Sequence, residues 1–213
     1  GHREDRGREW PLAAMSAKTA RRRRDVTGAG VWDGKRAAEY AAGDLAKAVV
    51  WVREQGRAKA SKRQARATQA GVVEAYLHRT GDYPPQTGAL IELDCESDFV
   101  AKGDDFRALA REIALHVAAA APRWISREEV PAELIEQERE VALEQARNEG
   151  RPEAAWSKIV EGRINNFYKE TVLLEQAYVR EPKTTIENLI KEHIAKLQEN
   201  ITVRRFTRYN VKE

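Results

Sequence analysis

A chain of 213 residues, 42% apolar and 33% charged with a net charge of +3, has room for one large domain or two small ones. No apolar run approaches the roughly 20 residues that cross a bilayer, and a single cysteine excludes an intrachain disulfide framework and points to a reducing compartment. The positive excess gathers in the first 70 residues, which implies an acidic or nucleic-acid partner there or simply a solvated face.

The start, Gly1 to Glu9, mixes both charge signs around no apolar segment, so it reads as neither a secretory signal nor a transit peptide. Met15 is the only methionine and reads as a start site, with residues 1–15 a disordered arm or non-native extension. Residues 16–56 read as a module of three short helices. Thr27-Gly28-Ala29-Gly30 makes its first turn, and Gly43-Asp44 breaks the chain and caps the third helix. Leu45, Ala48, Val49 and Val52 recur at helical spacing, and Gly56 stands where a left-handed stop belongs. Residues 57–70 read as a basic linker, carrying Arg57, Lys59, Lys62, Arg63 and Arg66 without an acid.

From Gly71 the apolar period changes to two, and residues 71–213 read as one α+β core. Val73, Ala75 and Leu77 alternate with Glu74, Tyr76 and His78. After a loop at 79–88, Ala89, Ile91, Leu93 and Cys95 form the inner row of a second strand, so the two make an antiparallel hairpin. Cys95, on that apolar row, reads as a small core residue. A helix over about 104–121 carries Phe106, Leu109, Ile113 and Val117 on one face, capped by Asp104. Residues 131–170 read as a helical hairpin turning at Gly150-Arg151-Pro152 and protruding as a coiled coil. A strand over Val172–Val179 follows, then a helix opened by a Thr184/Glu187 capping box. In the last strand, Ile201–Tyr209, the alternation slips between Val203 and Phe206, as at a bulge. The sum is four or so antiparallel strands flanked by helices.

Nothing in this pattern makes or breaks covalent bonds. The four histidines lack ligand spacing, so no metal site is expected. Neither a phosphate-binding loop nor a dinucleotide fingerprint is present, so no cofactor is expected and the chain is not itself a GTPase.

The stretch with most to say is Glu92-Leu93-Asp94-Cys95-Glu96-Ser97-Asp98-Phe99-Val100-Ala101-Lys102. Read from its residues alone, Ser97 or Asp98 caps a following helix and Phe99 turns under into the core. The same stretch resembles the E-L-N-C-E/Q-T-D-F-V-A-K box of the elongation factor Ts family, with Asp94 for the usual Asn and Ser97 for the usual Thr. Thr27-Gly28-Ala29-Gly30-Val31-Trp32-Asp33-Gly34-Lys35-Arg36-Ala37-Ala38 resembles the family's T-G-A-G signature, departing at Ala38 and, just upstream, at Arg23, where the family has leucines. The Val160-Glu161-Gly162-Arg163 and Glu199-to-Phe206 stretches resemble two more of its segments.

The resemblance implies an α+β fold with an N-terminal three-helix module of the ubiquitin-associated kind and a projecting helical hairpin. It implies a cytoplasmic translation factor that binds elongation factor Tu and promotes GDP release by differential binding, without catalysing a reaction. Ser97, Asp98, Phe99, Val100 and Ala101 would then act near the Mg²⁺ site of Tu. Thr27, Gly28, Ala29, Gly30, Val31, Asp33 and Lys35 would dock on its G domain. Arg204, Arg205 and Phe206 would support a further Tu contact or a homodimer. Two other readings stand beside this one. Arg21–Arg24 and the 57–66 stretch would suit nucleic acid, though aromatics for stacking are few. Arg23, Ala38 and Asp94 would suit a paralogue that keeps the core and binds Tu weakly.

Overall fold

The computed structural model describes residues 31–42 and 44–213, with side chains from Lys35 onward. The expected arm, the first helix of the expected module and the turn at 27–30 lie outside these residues. Helix α1 (Val31–Tyr40) packs on α2 (Leu45–Arg63) through a small cluster of Ala37, Ala41, Ala48 and Val52, with half-buried Trp51 against it. Trp51 stacks on Tyr40 at 5.9 Å between ring centroids, so an aromatic supplies part of this thin core. Asp44 is the α2 cap, its Oδ1 accepting from the Ala46 and Lys47 amides at 2.9 and 3.3 Å. Leu45, expected on the apolar stripe, is exposed instead.

The stop expected at Gly56 is absent, because α2 runs 19 residues straight through it. A Cβ there would lie 3.1 Å from the Ala195 Cβ, so this glycine lets two helices approach closely. The basic stretch after it is therefore helix against the core as far as Arg63. Ala60 is fully buried, Arg57 bonds Glu192 at 2.7 Å, and Arg63 bonds Gln198 at 2.5 Å.

Strands β1 (Ala70–Thr80), β2 (Tyr83–Cys95) and β5 (Ile201–Asn210) form one antiparallel sheet in the order β1-β2-β5. Ala89, Ile91, Leu93 and Cys95 face the core as expected. On β1 the inner row is Ala70, Val72, Glu74 and Tyr76. Val73, Ala75 and Leu77 face solvent, the opposite of a reading that takes them as the core row. Both rows of β1 alternate apolar side chains, and only the partner strand's register selects between them: Val72 pairs with buried Leu93, and Val73 with Glu92. The slip in β5 is a real bulge. The register shifts between Glu92 and Leu93 of β2, leaving Arg204 without a partner between Val203 and Arg205.

Helix α4 (Asp104–Ala120) covers the inner face with Phe106, Leu109, Ile113 and Val117 buried. Its N-cap is Gly103, without a side-chain cap bond, so Asp104 serves as a first-turn acid beside the helix N-terminus. Helices α5 (Ala132–Asn148) and α6 (Glu153–Thr171) form the expected hairpin, turning at Gly150 with φ +67°. Its own core is Ala142, Val160 and Ile164. Arg163 ties the arms through Glu138 at 3.2 Å and Gln145 at 3.0 Å, and Arg139 does so through Glu161 at 2.7 Å.

The strand expected over Val172–Val179 is broken. Val172 makes an isolated bridge to Trp124, Leu173–Glu175 is a 3₁₀ turn, and only Ala177–Tyr178 (β3) pairs, with β4 (Glu181–Thr185). Gln176 is the reason: buried there, its side-chain amide donates to the Ala120 and Glu170 carbonyls, which pins the turn. Helix α7 (Ile186–Leu197) is capped by Thr185, one residue after the expected Thr184, and buries Ile186, Leu189, Ile190 and Ile194. Helices and antiparallel strands together make the α+β class.

Two histidines, one fully buried and one half-buried, give this core a pH response. His116 on α4 is fully buried; its Nδ1 accepts from the Val179 amide at 3.3 Å and its Nε2 meets Gln176 Oε1 at 2.9 Å, which fits the neutral ring. His193 on α7 donates from Nδ1 to the Leu189 carbonyl at 2.8 Å. Burial lowers both pKa values below the ordinary one. The unfolded rings take up protons near pH 6.5 while the folded rings resist. Stability is therefore full above about pH 6.5 and falls as pH drops below it. Denaturant midpoints at pH 7.5 and 5.5 check this, and the expected result is a clearly lower midpoint at 5.5.

Candidate functional site

Chain geometry at the end of β2 sets the site. Cys95 is fully buried, and its thiol donates to the Ser97 carbonyl at 3.2 Å. Burial foremost, with the charge of Glu199 next, pushes the Cys95 pKa up to about 11, so the thiol stays protonated and acts as core. Ser97 then turns the chain with extended angles, φ −131° and ψ 153°, and its Oγ accepts from the Val100 amide at 3.3 Å. A single helical turn, α3 (Asp98–Ala101), follows and is closed by Lys102 N–H to Asp98 C=O at 3.0 Å.

This turn divides its side chains. Ala101 is buried and half-buried Val100 packs on the core, so they anchor the turn. Asp98 is exposed, and Phe99 is 89% exposed, the most exposed of the large apolar side chains described. The inward Phe99 read from the residues alone is thus not what forms; the ring is exposed, as the resemblance of the whole chain implies. Ser97 caps, as expected, but the cap aims the ring outward. Leaving a phenylalanine in water forgoes about 1.5–3 kcal/mol of burial. An aromatic held out on a capped, anchored turn is an arrangement suited to entering a pocket on another protein.

The turn is also gripped from far along the chain. Glu199, between α7 and β5, accepts from the Glu96 amide at 3.1 Å, the Ser97 amide at 2.9 Å and the Ser97 hydroxyl at 2.6 Å. In return, Glu96 accepts from the Asn200 amide at 2.8 Å. Asn200, buried, donates through its side chain to the carbonyls of Gln64 at 3.3 Å and Arg66 at 2.7 Å, just past the end of α2. Arg66 also lies 3.7 Å from Glu96. Glu199 and Asn200 stand in a stretch whose resemblance was noted, but nothing in their spacing placed them beside Ser97.

Of the remaining candidates, those that the structure describes do not gather at this tip. Thr27, Gly28, Ala29 and Gly30 lie outside the described residues; Val31 and Asp33 begin α1, and Lys35 is exposed on it. Arg204, Arg205 and Phe206 divide between the two sides of the sheet. Arg205 lies on the outer face, 2.6 Å from Glu92, Arg204 is the exposed bulge residue, and Phe206 is half-buried against the core. Asp94 sits on the outer face opposite Gly71, and burial, aided by Glu92, raises its pKa. Among the described residues no group of three or more His, Cys, Asp or Glu is placed to hold a metal, and no helix is long and apolar enough to cross a membrane.

Comparison with known proteins decides the family. The family model described as "Elongation factor TS" matches residues 38–213. An "Elongation factor Ts" of Frankia casuarinae is 47% identical over 203 residues, 95% of this chain and 100% of the relative. The chain belongs to the elongation factor Ts family. An elongation factor Ts of Coprothermobacter proteolyticus is 49% identical over 199 residues, 93% of this chain and 99% of the relative. Another, from Heliobacterium modesticaldum, is 46% identical over 199 residues, 93% of this chain and 91% of the relative. Membership makes the chain a translation elongation factor of the Ts family, and the capped Ser97–Ala101 turn lies within the matched residues.

Proposed function

We propose that this chain is the guanine nucleotide exchange factor of elongation factor Tu, working in the cytoplasm and carrying out no covalent chemistry. Bound GDP in a GTPase is held by Mg²⁺ and by amides around its phosphates. A protein that binds the nucleotide-free state more tightly than the GDP state drives GDP off and lets GTP reload. The Phe99 ring enters between helices of the Tu G domain near the Mg²⁺ site, Asp98 brings a carboxylate beside it, and the displaced helices release the metal's surroundings. Residues 27–35 dock elsewhere on the G domain. The observation that carries this reading is the 89% exposure of Phe99 on a turn whose neighbours Val100 and Ala101 are anchored.

Fluorescent GDP loaded on purified Tu tests it. Adding this protein with excess unlabelled nucleotide is expected to accelerate loss of the signal, with the rate saturating in protein. Release that stays at its spontaneous rate would overturn this reading and leave the weakly binding paralogue and the nucleic-acid reading.

A second copy of this chain is the other partner. Val73, Leu77, Leu90 and Tyr209 are all exposed on the outer face of the sheet, a contiguous apolar area on two edge strands and the strand between them. Pairing of two such faces would bury it. Sedimentation velocity is expected to show a dimer that Leu77→Lys converts to monomer; a wild-type monomer at micromolar concentration removes this partner.

A further inference from the structure

The exchange turn is not self-sufficient. Its cap residue Ser97 has one hydroxyl, which accepts from the Val100 amide at 3.3 Å and donates to Glu199 Oε2 at 2.6 Å. The hydroxyl proton is therefore directed at Glu199, and this leaves the oxygen's lone pairs for the Val100 amide. The other carboxylate oxygen takes the two backbone N–H groups that lead into the turn, those of Glu96 and Ser97. Three donors thus converge on one half-buried carboxylate contributed from 102 residues further along the chain. Its effect is directional. It fixes the φ and ψ at which the chain leaves β2, and so the direction in which the exposed Phe99 ring points.

We infer that Glu199 is the positioning residue of the exchange turn. Its carboxylate presets the orientation of Asp98 and Phe99 before the partner arrives. The inference rests on the exchange reading proposed above. Asn200, buried and bonded to the Gln64 and Arg66 carbonyls, seats the α7–β5 turn on the end of α2, so the support is itself rigid. Removing the carboxylate leaves two amides and a hydroxyl to find water, and the turn loses its single orientation. Once other surfaces have docked, a tip without a preset orientation enters its pocket in only the oriented fraction of complexes, which lowers the release rate.

The test uses the full-length protein with Glu199→Ala, Glu199→Gln and Phe99→Ala, alone and in combination. Glu199→Ala is expected to lower the saturating GDP-release rate by about threefold to tenfold, with the half-saturating concentration little changed because other surfaces supply binding. Glu199→Gln keeps an acceptor for the two amides and is expected to lose less. In a Phe99→Ala background the Glu199 substitutions are expected to cost nothing more, since the ring they orient is gone. A wild-type rate for Glu199→Ala overturns the inference, and so does an equal loss in the Phe99→Ala background, which a general structural role would give. Amide hydrogen exchange at Val100 and Ala101 is expected to speed up in both Glu199 variants while the sheet amides stay protected. Unchanged protection there overturns the inference whatever the kinetics show. Should Phe99→Ala alone release GDP at the wild-type rate, the wedge role of Phe99 falls while the exchange activity stands, and the amide protection still decides whether Glu199 orders the turn.

Discussion

Phe99→Ala is expected to slow GDP release from elongation factor Tu by about tenfold or more while leaving the protein folded. The magnitude follows from burial. A phenylalanine moved from water into a pocket contributes about 1.5–3 kcal/mol, and about 1.4 kcal/mol is a factor of ten in rate when the contact exists only along the path to the released state. Phe99 is 89% exposed, so its truncation removes almost no contact within the chain. The turn should also stand without it, because Ser97 caps it and Val100 and Ala101 anchor it. Stopped-flow release of fluorescent GDP measures the first claim and thermal unfolding the second. A variant that exchanges normally rules out the wedge. One that exchanges slowly because it has melted would show it in the unfolding curve. Asp98→Ala is expected to act in the same direction and more weakly.

The second large effect has the opposite character. Phe106, seven positions further on, is fully buried between α4 and the sheet. Phe106→Ala is expected to destabilise the fold by about 3–5 kcal/mol, the transfer loss of the ring plus the cavity it leaves. That is a large part of the roughly 5–15 kcal/mol that holds an ordinary domain. The variant should still accelerate GDP release at low temperature in proportion to its folded fraction, since Phe106 has no exposed surface to offer a partner. Denaturant unfolding gives the stability and the exchange assay gives the rest. A loss under about 1 kcal/mol would mean that the site collapses around the deletion. The two phenylalanines thus separate one observable from the other, although a hydropathy scale treats them alike.

Much of the fold was readable because it repeats a local rule. The inner row of β2, the buried face of α4 and the apolar face of α7 each repeat at their element's own period, and the hairpin announces its turn at Gly150. The errors fell where two local readings were equally good. The sequence of β1 carries two apolar rows, and only pairing with β2 selects Val72 and Tyr76 for the core. Gly56 has the same composition signal whether it ends a helix or lets one pass close to another; Ala195, on a helix far along the chain, decides. Residues 172–179 look like a strand until buried Gln176 is seen to hold the carbonyls of Ala120 and Glu170.

The candidate site divides along the same line. By itself the sequence determined the strand into Cys95, the Ser97 cap and the family to which the chain belongs, because these depend on residues adjacent in the chain. The residues around the cap did not by themselves determine which way Phe99 points, and the resemblance of the whole chain favoured the exposed ring that forms. A cap before an apolar residue is equally consistent with a ring turned under and a ring held out. That choice was made by tertiary structure: Ala101 and Val100 take the space against the core, and Glu199 and Asn200, folded back from the other end of the domain, fix the chain's exit from β2. The physical reason is reach. Capping acts over three residues, whereas the carboxylate that orients the turn is brought to it only by pairing of β5 with β2.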